Sequence, residues 1–167
     1  MSHKIRFTAE KIAERLKLVQ PIMIRRRHPI GAFRYKALPD AATPPPLNES
    51  TDDWPQIEPD SYWGRWSRNF ILRAAFRLPA DWNAPCTGLH LPLGKTGDIF
   101  THPEALIYID GRPIASADRY HHTVELPDGL ADGEDHALAL HGWTGLSGWP
   151  PNPDDRTRLF MRECAVV

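Results

Sequence analysis

Apolar and polar residues alternate with a period of two through most of the C-terminal two thirds of the chain. Between Asn69 and Leu78, Phe70, Leu72, Ala74, Phe76 and Leu78 fall on one face, with Arg73 and Arg77 on the other. That spacing predicts a half-buried strand. Leu89, Leu91 and Leu93 repeat it, as do Leu106 and Tyr108 against Ile107 and Ile109. His122, Val124 and Leu126 predict another strand, and Leu138 and Leu140 the next. Residues 158–166 supply a last one, with Phe160, Cys164 and Val166 on one side. Asp110-Gly111 is a strong hairpin signal, and Pro127-Asp128-Gly129 marks a further turn. Short strands, Gly/Pro turns and no legible helices between strands predict an all-β fold, an antiparallel β-sandwich.

The N-terminal stretch has a different period. Ile12, Leu16 and Val19 form a helical stripe. Thr8 is the expected N-cap, Phe7 and Ile12 have staple spacing, and Pro21 is expected to end the helix. Ile22-Met23-Ile24 and Ala32-Phe33-Arg34-Tyr35 read as extended pieces around a turn at His28-Pro29-Ile30-Gly31. Pro39, Pro44, Pro45, Pro46, Pro55 and Pro59 then crowd into a polar stretch that reads as a surface linker. The expected division is a helix and basic arm over 1–38, a Pro-rich linker over 39–61 and a β-sandwich domain over 62–167.

At 167 residues and 19.0 kDa the chain has the size of one domain, large enough for its own core. No apolar run approaches the ~18 residues of a membrane helix, and the N-terminus lacks the apolar stretch of a signal peptide. Two cysteines, Cys86 and Cys164, are too few for a disulfide scaffold. Both read as buried small hydrophobes in a reduced, cytoplasmic protein. The net charge of −1 hides an asymmetry. Residues 1–36 carry ten Lys/Arg and two Asp/Glu, a balance of +8, leaving −9 on the other 131 residues. The basic arm is expected to pack against an acidic body or partner. Nucleic acid is the weaker reading, because Arg25-Arg26-Arg27 is short and lacks interleaved aromatics.

Tests for chemistry mostly return structural explanations. Eight histidines invite a metal, yet His-x-Asp, His-Glu-x-x-His and Cys-x-x-Cys spacings are missing, and the adjacent His121 and His122 would point to opposite faces of a strand. There is no Gly-x-Ser-x-Gly elbow. Gly94-Lys95-Thr96 is not a phosphate loop, since the first glycine of that pattern is missing. Asp110 is best explained as a turn former, whereas Asp118 reads either as a structural acceptor or as a ligand contact. The aromatic set says more. Trp54, Tyr62, Trp63 and Trp66 fall within thirteen residues, and Trp82, Trp143 and Trp149 follow. Such rings either fill core and domain contacts or offer faces to sugar rings.

One ordered series of residues resembles a known family. Trp54-Pro55-Gln56-Ile57-Glu58-Pro59-Asp60-Ser61-Tyr62-Trp63-Gly64, then Trp66 and a strand ending Leu78-Pro79, is similar to the opening of the N-terminal domain of bacterial and cytosolic α-mannosidases of glycoside hydrolase family 38. Glu104-Ala105-Leu106-Ile107-Tyr108-Ile109-Asp110-Gly111 resembles a later hairpin there, followed by Asp118 and His121. Gly142-Trp143-Thr144-Gly145 resembles a closing turn. The likeness covers about residues 50–165, and the family also begins with a helix.

The resemblance implies a galactose-binding-like, jelly-roll-like sandwich standing before a catalytic barrel. It implies that the barrel holds zinc or another divalent metal and an aspartate nucleophile, and cleaves terminal α-mannosides with retention. The family's His-x-Asp metal motif is missing here, so no catalytic or metal residue is carried over and the chain alone is expected to be inactive. The expectation is a non-catalytic N-terminal piece of a longer α-mannosidase, chiefly packing against other domains. The alternative is a mannoside-binding module acting through exposed Trp residues. Trp63, Trp66, Asp118, His121 and Trp143 are the candidate sugar or interdomain contacts. No cofactor is expected in the chain. The candidate partners are the rest of the α-mannosidase chain, a mannoside or glycan, and a second copy of the chain, with no membrane.

Overall fold

The computed structural model describes residues 7–41, 44–82, 87–94, 102–146, 150, 152 and 158–167. Cys86, Trp149 and the Lys95-Thr96 pair lie outside the described residues. One helix, α1 (Thr8–Met23), precedes β1 (His28–Pro29), β2 (Phe33–Leu38), β3 (Gln56–Ile57), β4 (Ser61–Trp63), β5 (Asn69–Arg77) and β6 (Gly88–His90). Then come β7 (Glu104–Ile109), β8 (Arg112–Ala117), β9 (Thr123–Glu125), β10 (Asp135–Trp143), β11 (Leu159–Met161) and β12 (Ala165–Val166). Their pairings are antiparallel, in a six-stranded sheet of order β3-β2-β5-β10-β7-β8, a four-stranded sheet of order β1-β12-β6-β9, and the pair β11-β4.

The all-β antiparallel architecture expected from the alternation is what forms. β5 and β10 pair along their whole length, with Leu140 opposite Leu72 and His136 opposite Phe76. Leu72, Phe76 and Leu140, with Ile107 of β7, meet Leu89, Val124 and Val166 of the smaller sheet in one buried cluster. Both faces of β7 carry apolar residues, and the structure sets the phase: Ile107 and Ile109 are buried, while Leu106 faces out at 41% exposed. Trp63 joins the β4 pair to this core. It is wholly buried, its Nε1 donates to the Leu93 carbonyl at 2.8 Å, and its ring meets Tyr35 and Phe70 edge-on.

The Asp110-Gly111 hairpin forms between β7 and β8, with φ of 49° and 80° at the two turn residues, as a type I′ turn requires. Asp110 also accepts the Ala137 amide at 2.8 Å and faces His136 Nδ1 at 2.8 Å. The other imidazole nitrogen, Nε2, faces the Leu130 carbonyl at 3.1 Å and Asp132 at 3.2 Å. Only an imidazolium donates from both nitrogens. Burial of His136 pulls its pKa down, but the bond and charge of Asp110 and the bonds to Leu130 and Asp132 outweigh it and hold the pKa above the ordinary value. Burial likewise pushes Asp110 up, and the bonds from His136 and the Ala137 amide override that, so its carboxyl stays below the usual range.

Several local expectations are corrected. Phe7, not Thr8, occupies the N-cap position, in left-handed backbone, and Thr8 is the first helical residue. Pro21 does not end the helix. Its fixed φ is helical and it forfeits only the amide bond toward Lys17, so the last turn runs on to Met23 before Ile24 becomes extended. The stripe of Ile12, Leu16 and Val19 is half exposed, and no residue of α1 is buried. Residues 158–166 make two strands in different sheets. The chain bends between them, where the Arg162 amide reaches the Pro92 carbonyl and Cys164 O accepts the Ile30 amide. Gly142-Trp143 are the end of β10 rather than a turn. Cys164 is buried as expected, which pushes its thiol up to about 12.

β5 is also covered on its outer side. Arg73 is buried there, with Nη1 and Nη2 donating to the Leu47, Glu49 and Pro46 carbonyls and its guanidinium 5.2 Å from the Trp54 ring. Trp54, Leu38 and Ile71 form a second small core. Residues of the arm, the Pro-rich stretch and the body thus meet in one sheet through β2, β3 and β5.

Two measurements test this packing. Trp63→Ala is expected to lower unfolding stability by about 3–5 kcal/mol in urea titration. His136 carries a raised pKa, so its contribution is complete below its ordinary value of 6.5 and is lost as pH rises through the raised one. The stability difference between the native chain and His136→Gln is therefore expected to be full below pH 6.5 and to shrink as pH rises above it. A difference constant over that range would mean that His136 is not held as an imidazolium.

Candidate functional site

Three cross-strand rows tile the outer face of the large sheet. Leu38, Asn69, Trp143 and Glu104 form the first, Lys36, Ile71, His141, Leu106 and Ser116 the second, and Arg34, Arg73, Ala139 and Tyr108 the third. A groove of about 560 Å³ runs over the first row, over His141, Leu106 and Ser116 of the second, and reaches Tyr108 of the third. Leu38, Ala41 and Pro44 make one wall and Ser116, Ala117 and Asp118 the other. The floor carries His141, Trp143, Leu106 and Tyr108. Its size is that of a small-ligand site.

Close backbone approach shapes the floor. Any Cβ on Gly142 would collide with the Glu104 carbonyl oxygen and lie 2.6 Å from the Phe70 ring. His141 stacks at a tilt on Tyr108, with ring centroids 4.9 Å apart. Burial, with Arg73 adding to it, pushes its pKa down, so the imidazole is neutral at pH 7. Its Nε2 is buried and has no partner among the described residues.

The five candidate residues part company here. Trp143 lies in the groove floor, half-buried, and Asp118 stands at the end of the wall. His121 is tied to Asp118: its Nδ1 lies 2.9 Å from Oδ1, and the same oxygen accepts the amides of Tyr120 and His121. The His121 bond chiefly holds the Asp118 carboxyl below its usual range. Asp118 is therefore an occupied turn former held ionised, which is the wrong state for a general acid. Trp63 is in the core, so no sugar ring reaches its face. Trp66 is half-buried against the core cluster, outside the groove. Among the described residues no group of three or more His, Cys, Asp or Glu side chains is placed to hold a metal ion.

The chain shares its fold with a stretch of two β-glucuronidases. That of Faecalibacterium prausnitzii matches over 72% of this chain and 22% of its own length, at 14% identity and a TM-score of 0.52. The apo β-glucuronidase of Ruminococcus gnavus matches over 84% of this chain and 29% of its own, at 12% identity and a TM-score of 0.53. The chain thus spans less than a third of either protein. No protein-family model and no curated protein matches the sequence. At these identities the likeness is one of fold, and it does not single out the α-mannosidase family.

Glu104, Tyr108 and His141 are groove residues that the sequence does not single out as candidate contacts. Period two places Glu104, Leu106 and Tyr108 on one face of β7, and His141 and Trp143 on one face of β10. That β7 lies beside β10, rather than beside β6, follows only from the topology. Gly142→Ala is expected to destabilise the chain by about 1–3 kcal/mol in urea titration and to broaden the Trp143 indole resonance, because the backbone must shift to admit the methyl group.

Proposed function

We propose that this chain is a non-catalytic accessory sandwich of a glycoside hydrolase, working beside a catalytic domain that is not among these residues. The observation that carries this reading is the partial match: most of this chain superposes on less than a third of a β-glucuronidase. The finer assignment rests on the motif series from Trp54 to Gly145, which favours an α-mannosidase as the parent enzyme. The zinc or other divalent metal of that family belongs, on this reading, to the barrel. The described residues of this chain offer no ligand set that fits it.

The charge distribution supports a packing role. The basic arm meets the body at the ion pair of Arg26 with Asp81, 3.1 Å apart, while the helix before it leaves Ile12, Leu16 and Val19 uncovered within this chain. We place the protein in the cytoplasm, where a buried thiol such as Cys164 stays reduced.

An antibody raised against this chain tests the proposal on extracts of the source cells. A band several-fold heavier than 19 kDa is the expected result, and a band at 19 kDa would overturn it. The 167-residue chain is also expected to release no nitrophenol from nitrophenyl α-mannoside or β-glucuronide with zinc or cobalt added. Release above a heat-inactivated control would contradict a non-catalytic role.

A further inference from the structure

We infer that the outer-face groove binds an uncharged hexose unit and excludes uronic acids. The choice of a sugar rests on the glycosidase reading above; the charge preference rests on the groove itself. Two aromatic rings, Trp143 and Tyr108, stand on the floor among polar groups rather than in an apolar stripe. Such a mixture suits a pyranose, which has an apolar C–H face and a polar rim. Glu104, Asn69 and Ser116 line the groove with groups able to bond hydroxyls. His141 adds a neutral imidazole ring, stacked at a tilt on Tyr108.

Charge decides between sugars. Glu104 and Asp118 line the groove, and among the described residues lining it there is no Lys or Arg. A uronate carboxylate would meet like charge with no counterion to hold it. The neighbouring concavity, of about 420 Å³, does contain Arg34 and Arg73, but their guanidiniums are engaged by backbone carbonyls of the Trp54 and Pro46–Glu49 stretch.

The test is a titration of the isotopically labelled 167-residue chain at pH 7 with methyl α-mannoside, methyl β-glucoside and glucuronate, each to roughly 10 mM, a range that detects weak binding. The Trp143 indole and the His141 ring are expected to shift with at least one neutral glycoside and not with glucuronate. Trp143→Ala is expected to weaken that binding about tenfold or more while the rest of the spectrum stays dispersed. Glu104→Gln, at an exposed position, is expected to admit glucuronate, and it tests the charge argument even if the Trp143 variant fails to fold. Silence of the groove resonances with both neutral glycosides overturns the inference, as does a preference for glucuronate. The immunoblot separates the two proposals. A heavy band with a silent groove leaves the accessory domain standing without a sugar site, and a 19 kDa band with a responsive groove means a sugar-binding protein acting alone.

Discussion

A buried guanidinium holds the outer layer of this molecule in place. Proline-rich backbone is poor in amide donors, so the stretch around Pro44 to Pro46 cannot join a sheet ladder. It still has carbonyls to satisfy. Arg73, projecting from the middle of β5, takes three of them and lies against Trp54. Arginine suits this position because its planar fork carries several donors and keeps its charge even when burial lowers its pKa. With the stretch anchored, Trp54 and Leu38 cover Ile71, and β5 is buried on both sides. The same stretch then rises as one wall of the groove.

The inner side is organised around two further contacts. Trp63 brings the short β4 pair to the main core, and its indole N–H is satisfied by Leu93, so a large polar-tipped ring is buried without an orphaned donor. His136 ties the β7–β8 turn to the loop before β10 through carboxylates on either side of its ring. Both join parts of the chain that are far apart in sequence. The chemistry of these residues is spent on holding the sandwich together, which is why three of the most eye-catching side chains, Trp54, Trp63 and His136, offer nothing to a ligand.

What remains available lies on the outer face and on the helix. The groove gathers aromatic rings, a neutral imidazole and carboxylates, with no Lys or Arg among the described residues lining it. The helix presents an uncovered apolar stripe followed by three arginines.

The sequence by itself determined the local grammar of this protein. Period-two runs marked β5, β7 and β10 as strands and divided their side chains between two faces, because strand geometry sends alternate side chains to opposite sides whatever the partner strand. Asp110-Gly111 marked its hairpin because the positive φ of a type I′ turn selects those residue types. Asp118 could be read as an acceptor, since an aspartate bonds its own following amides locally. Tertiary structure decided the rest. Trp63 and Trp66 are near neighbours in sequence, yet one is core and the other half-exposed, and Arg73 looks like an ordinary outward residue of a strand. His141 and Glu104 become neighbours of one groove only when β10 lies beside β7. Burial and ligand geometry depend on which distant segments cover a residue, and strand periodicity records only which way that residue points.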